Sequence, residues 1–150
     1  MSEKILLIDD EAEFVETLAA RMRTRDMSVT TANSAVEALD RDDMDTYDAI
    51  ILDLQMPEMD GLTALEKIKQ RNPKLQVIML TGQATVEKGV RAMKMGAVDL
   101  LEKPADMEEL NRRIKEASNR KMVLVREESE DKIKEIMSQF EVGLSVSSNC

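Results

Sequence analysis

Ile50-Ile51-Leu52-Asp53-Leu54-Gln55-Met56-Pro57-Glu58-Met59-Asp60-Gly61 carries an acidic side chain directly out of an apolar run. Consecutive aliphatic residues are the pattern of a strand covered on both faces, and the Pro and Gly that follow force the chain to turn. Asp53 is therefore expected at the mouth of a sheet, half desolvated. A lone charge is costly to bury there, so the position calls for a cationic partner or a metal.

The same design, an apolar run stopped by a polar residue, recurs on either side. Residues 5–8 read as a central strand ending in Asp9-Asp10-Glu11. Phe14, Val15, Leu18, Ala19 and Met22 then repeat at helical spacing over 11–24. A short strand is expected over 27–31, and a helix capped by Asn33 or Ser34 to about residue 40, with Val36 and Leu39 inward. Residues 47–53 form the third strand and 62–70 the next helix, ending before Asn72-Pro73. Residues 76–80 are a buried strand stopped by Thr81-Gly82. Thr85 can cap the helix that follows, and 98–101 is a fifth strand stopped by Glu102-Lys103-Pro104. Asp106 caps a final helix.

Five strands alternating with five helices predict an α/β fold, a doubly wound five-stranded parallel sheet. The order expected is the flavodoxin-like 2-1-3-4-5 of a (βα)5 unit, in which strands 1 and 3 meet at the switch point where ligands bind. Asp9 and Asp10, Asp53, Thr81 and Lys103 end strands 1, 3, 4 and 5, so all five converge on one edge.

Composition limits the chemistry available there. The 150 residues suit one domain, 43% of them are apolar, and 30 acidic against 21 basic residues give a net charge of −9. That balance disfavours direct nucleic-acid binding. There is no His, and the single cysteine is Cys150, which excludes a disulfide framework, Cys/His zinc sites and a histidine base. Any metal must be held by oxygen. Neither a signal-peptide pattern nor a run of membrane-spanning length is present, so a cytoplasmic protein without membrane attachment is expected.

Three carboxylates held together repel one another unless a cation intervenes, and an all-oxygen set suits Mg²⁺. Asp53 could then attack phosphorus as a carboxylate nucleophile, with Lys103 a point charge on the phosphoryl oxygens and the Thr81 hydroxyl a donor to another.

Asp9-Asp10, the stretch from Asp53 to Gly61, Thr81-Gly82 and Lys103-Pro104 together resemble the receiver domain of two-component response regulators, over residues 1 to about 120. The resemblance implies a phosphorylation-controlled switch with Asp53 as phosphoacceptor. Asp10 and Asp53 would bind Mg²⁺ directly, Asp9 through water, and the backbone carbonyl of Gln55 would add a ligand. The donor would be a phosphohistidine on a sensor histidine kinase or histidine phosphotransfer protein, and output would pass through altered interaction with another protein, unknown from the sequence. By the same resemblance the Lys103-Pro104 bond would be cis, Gln55 and Gln83 would tune access of water, and the only catalysis would be the domain's own phosphoryl transfer and autodephosphorylation. One position departs from the pattern: Leu100 stands three residues before Lys103, where receivers usually carry an aromatic that swings inward. A turnover phosphohydrolase is disfavoured because Gln55, two positions after Asp53, cannot act as a general acid. The intact acidic set argues against an unphosphorylated scaffold.

Beyond the receiver, 121–140 is expected as a helical extension. Ile114, Ser118, Met122, Val125, Ser129, Ile133, Ile136 and Phe140 fall near one face. A solvated helix and a homodimer formed through helix 5 and its extension are both open. Residues 141–150 show no period and are expected to be disordered. The remaining length admits no output domain, so a stand-alone receiver or one cut from a longer protein is expected.

Overall fold

The computed structural model describes residues 2–83 and 85–148, the side chains of 141–148 excepted. Its elements are β1 (Lys4–Ile8), α1 (Ala12–Arg23), β2 (Ser28–Ala32), α2 (Ala35–Leu39), a single 3-10 turn (Met44–Thr46), β3 (Ala49–Leu52), α3 (Gly61–Arg71), β4 (Val77–Thr81), α4 (Val86–Lys94), β5 (Asp99–Glu102) and α5 (Met107–Ser148). The strands form one sheet in the order β2-β1-β3-β4-β5, every pair parallel. This is the expected doubly wound architecture, with its switch point between β1 and β3, where Ile8 pairs with Leu52.

Alternation within the strands divides the interior into two layers. Leu6, Ile8, Ile50, Leu52, Val77 and Met79 face α2 and α3 on one side, together with Ala92 of α4. Ile5, Leu7, Ala49, Ile51, Ile78 and Leu80 face α1 and the first turns of α5 on the other. Both faces of the three inner strands β1, β3 and β4 are covered, which is why these read as apolar runs, whereas the edge strands β2 and β5 carry polar residues.

Local chemistry sets where the helices begin. Ser34 Oγ accepts from Glu37 N at 3.1 Å and Thr85 Oγ1 from Lys88 N at 3.2 Å, two caps that were expected. Asp60 caps α3, its Oδ1 accepting from Thr63 N at 2.9 Å. That bond lowers the Asp60 carboxyl below its ordinary 3.8. The stability it contributes is thus present above pH 3.8 and lost as pH falls through the lower folded value. Asp60→Ala is expected to cost about 1 kcal/mol at neutral pH. In urea unfolding the gap from wild type should shrink below pH 3.8, and a gap that widens there would refute the cap's contribution.

Two expectations about helix 2 and strand 3 are corrected. α2 turns Ala35 and Ala38 inward and leaves Val36 42% exposed, whereas Leu39 packs against the core as expected, because the Ser34 cap sets its phase and the small alanines allow close approach to the sheet. β3 starts at Ala49 rather than 47, since Tyr47 ends the 3-10 turn and its hydroxyl bonds Asp43 Oδ2 at 3.1 Å.

α5 runs on without a break, and its extension begins in contact with the domain. Lys121 is buried, and its Nζ donates to the carbonyls of Asp45 and Tyr47, both at 2.5 Å, beneath the sheet. Burial holds this ammonium below the usual lysine range. About two helical turns further on, Lys74 pairs with Glu128. Beyond that contact Ile133, Ile136 and Phe140 are exposed. The helical backbone continues to Ser148 with no boundary at 141, because no proline follows Pro104 and propagation of a formed helix costs little. The disordered tail expected over 141–150 otherwise concerns side chains, and residues 149 and 150, that lie outside the described residues. Lys121→Ala removes a packed aliphatic stem and leaves two carbonyls unpaired, so a loss of about 2 kcal/mol is expected. Amide exchange across 118–128 should accelerate, and unchanged exchange there would show the contact to be incidental.

Candidate functional site

The carboxyl ends of the strands bring the acids together. Asp9 N donates to Ala32 O at 3.1 Å and Asp53 N to Ile8 O at 3.1 Å, so the ladder holds each acid one residue past its strand. Asp9 and Asp53 are 2% and 4% exposed, whereas Asp10 faces solvent. One carboxylate oxygen from each of the three lies within 4.8 Å of the others. Asp9 Oδ1 accepts from Glu11 N at 2.9 Å and Asp53 Oδ1 from Gln55 N at 3.2 Å, which fixes both rotamers and holds Gln55 at the rim.

Lys103 completes the cluster from across the sheet. Its Nζ is 2.6 Å from Asp9 Oδ2, 3.1 Å from Glu11 Oε1 and 3.4 Å from Asp53 Oδ2. Its backbone N donates to Thr81 O at 2.8 Å, and the Lys103-Pro104 peptide bond is cis. Burial pulls the ammonium down, but its bonds to Asp9 and Glu11 outweigh that and keep its pKa above the ordinary value. Asp9 is pushed up: burial is the largest cause, the bonds from Lys103 and the Glu11 amide oppose it, and the Asp53 charge adds to it. The net raise on Asp9 means that one ammonium does not fully offset burial and Asp53.

Thr81 is buried at the end of β4, and its Oγ1 accepts from Gln83 N at 3.3 Å. Leu100 pairs with Met79 on the neighbouring strand and packs against α4, where Gly89 leaves room for it. Two residues around Lys103 lay outside the sequence reading of the site. Glu11 stands beside the acidic pair, and Phe14, read only as core, places its ring 4.3 Å from the ammonium.

An all-carboxylate set with no His or thiolate nearby is the donor chemistry of a hard divalent cation, so the residues fit Mg²⁺.

Residues 5–115 match the sequence profile of the family described as the response regulator receiver domain. The chain belongs to that family. This receiver is 36% identical over 113 residues to the transcriptional regulatory protein ZraR of Escherichia coli K12, an alignment covering 75% of the chain and 26% of ZraR. It is also 36% identical over 115 residues to the response regulator MprA of Mycobacterium bovis BCG, covering 77% and 50% respectively. Among solved structures it resembles a receiver domain from Clostridium thermocellum with a TM-score of 0.78 and 35% identity, over 81% of this chain and 98% of that one. The receiver thus spans between a quarter and a half of the length of those two regulators. Receivers of this family are modules of two-component signalling, generally switches rather than enzymes, with an acidic pocket that generally takes Mg²⁺. Among the described residues, no helix is long and apolar enough to cross a membrane.

Proposed function

We propose that this receiver is a phosphorylation-controlled switch in which Asp53 accepts a phosphoryl group from a phosphohistidine on a sensor histidine kinase or histidine phosphotransfer protein. The observation that carries the reading is the Lys103 ammonium 2.6 Å from Asp9 and 3.4 Å from Asp53, with three carboxylates gathered at the switch point. Asp9, Asp10, Asp53 and the backbone carbonyl of Gln55 would hold Mg²⁺, which when bound neutralises charge on the phosphoryl oxygens. A carboxylate oxygen of Asp53 attacks phosphorus, the P–N bond to the donor imidazole breaks, and an acyl phosphate forms. Lys103 stabilises the oxygens from one side, and the Thr81 hydroxyl donates to another. Water later attacks phosphorus, releasing phosphate and restoring the carboxylate. Gln55 and Gln83, both exposed at the rim, govern how readily that water enters.

The signal leaves through altered affinity for another protein. Val86, Val90 and Met93 of α4 are exposed and line an apolar groove with Leu100, a surface such a partner can cover. The exposed stripe on the extension of α5 offers a second copy a place to pair. The working compartment is the cytoplasm.

Incubation with Mg²⁺ and a small phosphodonor tests the acceptor reading. One hydroxylamine-labile phosphate per chain, blocked by chelation, is expected. Continuous turnover of phosphomonoesters would make the protein a hydrolase, and no label would make it a scaffold.

A further inference from the structure

Lys103 carries its charge on a flexible four-carbon stem, so something must hold the ammonium where it can act. Of its three carboxylate neighbours, Glu11 is 61% exposed, and a solvated pair of that kind restrains little. Asp9 and Asp53 hold the ammonium from the side of β1 and β3. The remaining desolvated contact is with α1, where the Phe14 ring centroid lies 4.3 Å from Nζ. Phe14 is half-buried and borders the core layer beneath α1. Only an aromatic face attracts a cation, and the attraction grows as water is excluded. The Lys103 side chain is 9% exposed.

We infer that Phe14 is a positioning residue for phosphoryl transfer at Asp53. Its ring holds the Lys103 ammonium above the acidic cluster and, being weakly directional, lets Nζ shift from Asp9 toward an incoming phosphoryl oxygen without surrendering its cation contact. This role rests on the acceptor reading proposed above.

Phe14→Leu keeps most of the core packing and removes the π face, whereas Phe14→Tyr keeps both. In the metal-free protein, the ε-methylene protons of Lys103 should be shifted upfield by the ring current in wild type and Phe14→Tyr, and return to ordinary values in Phe14→Leu. With Mg²⁺ and a small phosphodonor, the initial labelling rate should fall by about threefold to tenfold in Phe14→Leu and recover in Phe14→Tyr. A wild-type rate in Phe14→Leu, or a Phe14→Tyr rate as low as that of Phe14→Leu, would overturn the role. So would a labelled wild type whose ε-methylene protons are unshifted. A wild type that takes no label would overturn the acceptor reading itself, and this role with it.

Discussion

Asp53→Asn should take up no phosphate under conditions that label the wild type, while its metal-free form unfolds at a higher temperature. The first result follows from the nucleophile, since an amide oxygen in place of a carboxylate oxygen cannot form the acyl phosphate. The second follows from the balance of charges. At an effective dielectric of about 20, a like-charge pair 4.8 Å apart costs roughly 3 kcal/mol, which applies to buried Asp9, while the exposed Asp10 adds a smaller, solvent-screened repulsion. By the same measure Lys103 at 3.4 Å returns about 5 kcal/mol. Repulsion and desolvation of a side chain 4% exposed together exceed the attraction. Lys103 loses one partner in the variant but keeps Asp9 and Glu11. The net gain should be on the order of 1 kcal/mol, a shift of about 3 °C for a chain of this size. Added Mg²⁺ should raise the wild-type midpoint by mass action and act less on the variant. Calorimetry with Mg²⁺ and with chelator measures both effects. Phosphate retained by the variant would place the acceptor elsewhere, and a lower midpoint would mean that Lys103 outweighs the acids.

What could be read in the sequence was whatever a strand end announces locally. The inner strands β1, β3 and β4 are apolar runs stopped by a residue of distinct chemistry, and β5 is a shorter one leading to Lys103, so the order of elements and the meeting of Asp9, Asp10, Asp53 and Lys103 were legible together. The inward face of α2 was legible at Leu39 but not at Val36, because in a helix of five residues Val36 competes with Ala35 and Ala38, and a cap one residue upstream decides the phase. Glu11 and Phe14 were not, because they lie past the end of β1 at the start of α1, and the strand order that brings the strand ends together does not say which helix side chains reach Lys103. The contacts of the α5 extension with the base of the sheet, through Lys121 and Glu128, were hidden for the same reason. Gly61 read as a turn residue, whereas its role is to make space.

Gly61→Ala is expected to destabilise the protein by about 3 kcal/mol and to slow labelling of Asp53 in the fraction that folds. Gly61 opens α3 immediately after the Asp60 cap, and its N donates to Leu54 O at 2.8 Å. That bond folds the loop back on itself, so the start of the helix lies against the backbone that has just left β3. A Cβ built at Gly61 would stand 2.1 Å from Asp53 O, 2.6 Å from Leu54 Cα and 2.9 Å from Asp53 C. All three atoms are main chain, so no rotamer change relieves the overlap. Either α3 moves away, breaking the Gly61–Leu54 bond and opening the layer under Leu62 and Leu65, or the peptide after Asp53 rotates and carries the Asp53 carboxylate with it. Gly89 provides the contrast. A Cβ there would meet Leu100 Cδ2 at 2.8 Å, the mobile end of a leucine, and alanine gains up to about 1 kcal/mol of helix propensity. Gly89→Ala should therefore be close to neutral in thermal unfolding where Gly61→Ala is not. Equal stability of the two variants, or a wild-type labelling rate in Gly61→Ala, would show that the loop from Asp53 to Gly61 can yield without disturbing the site.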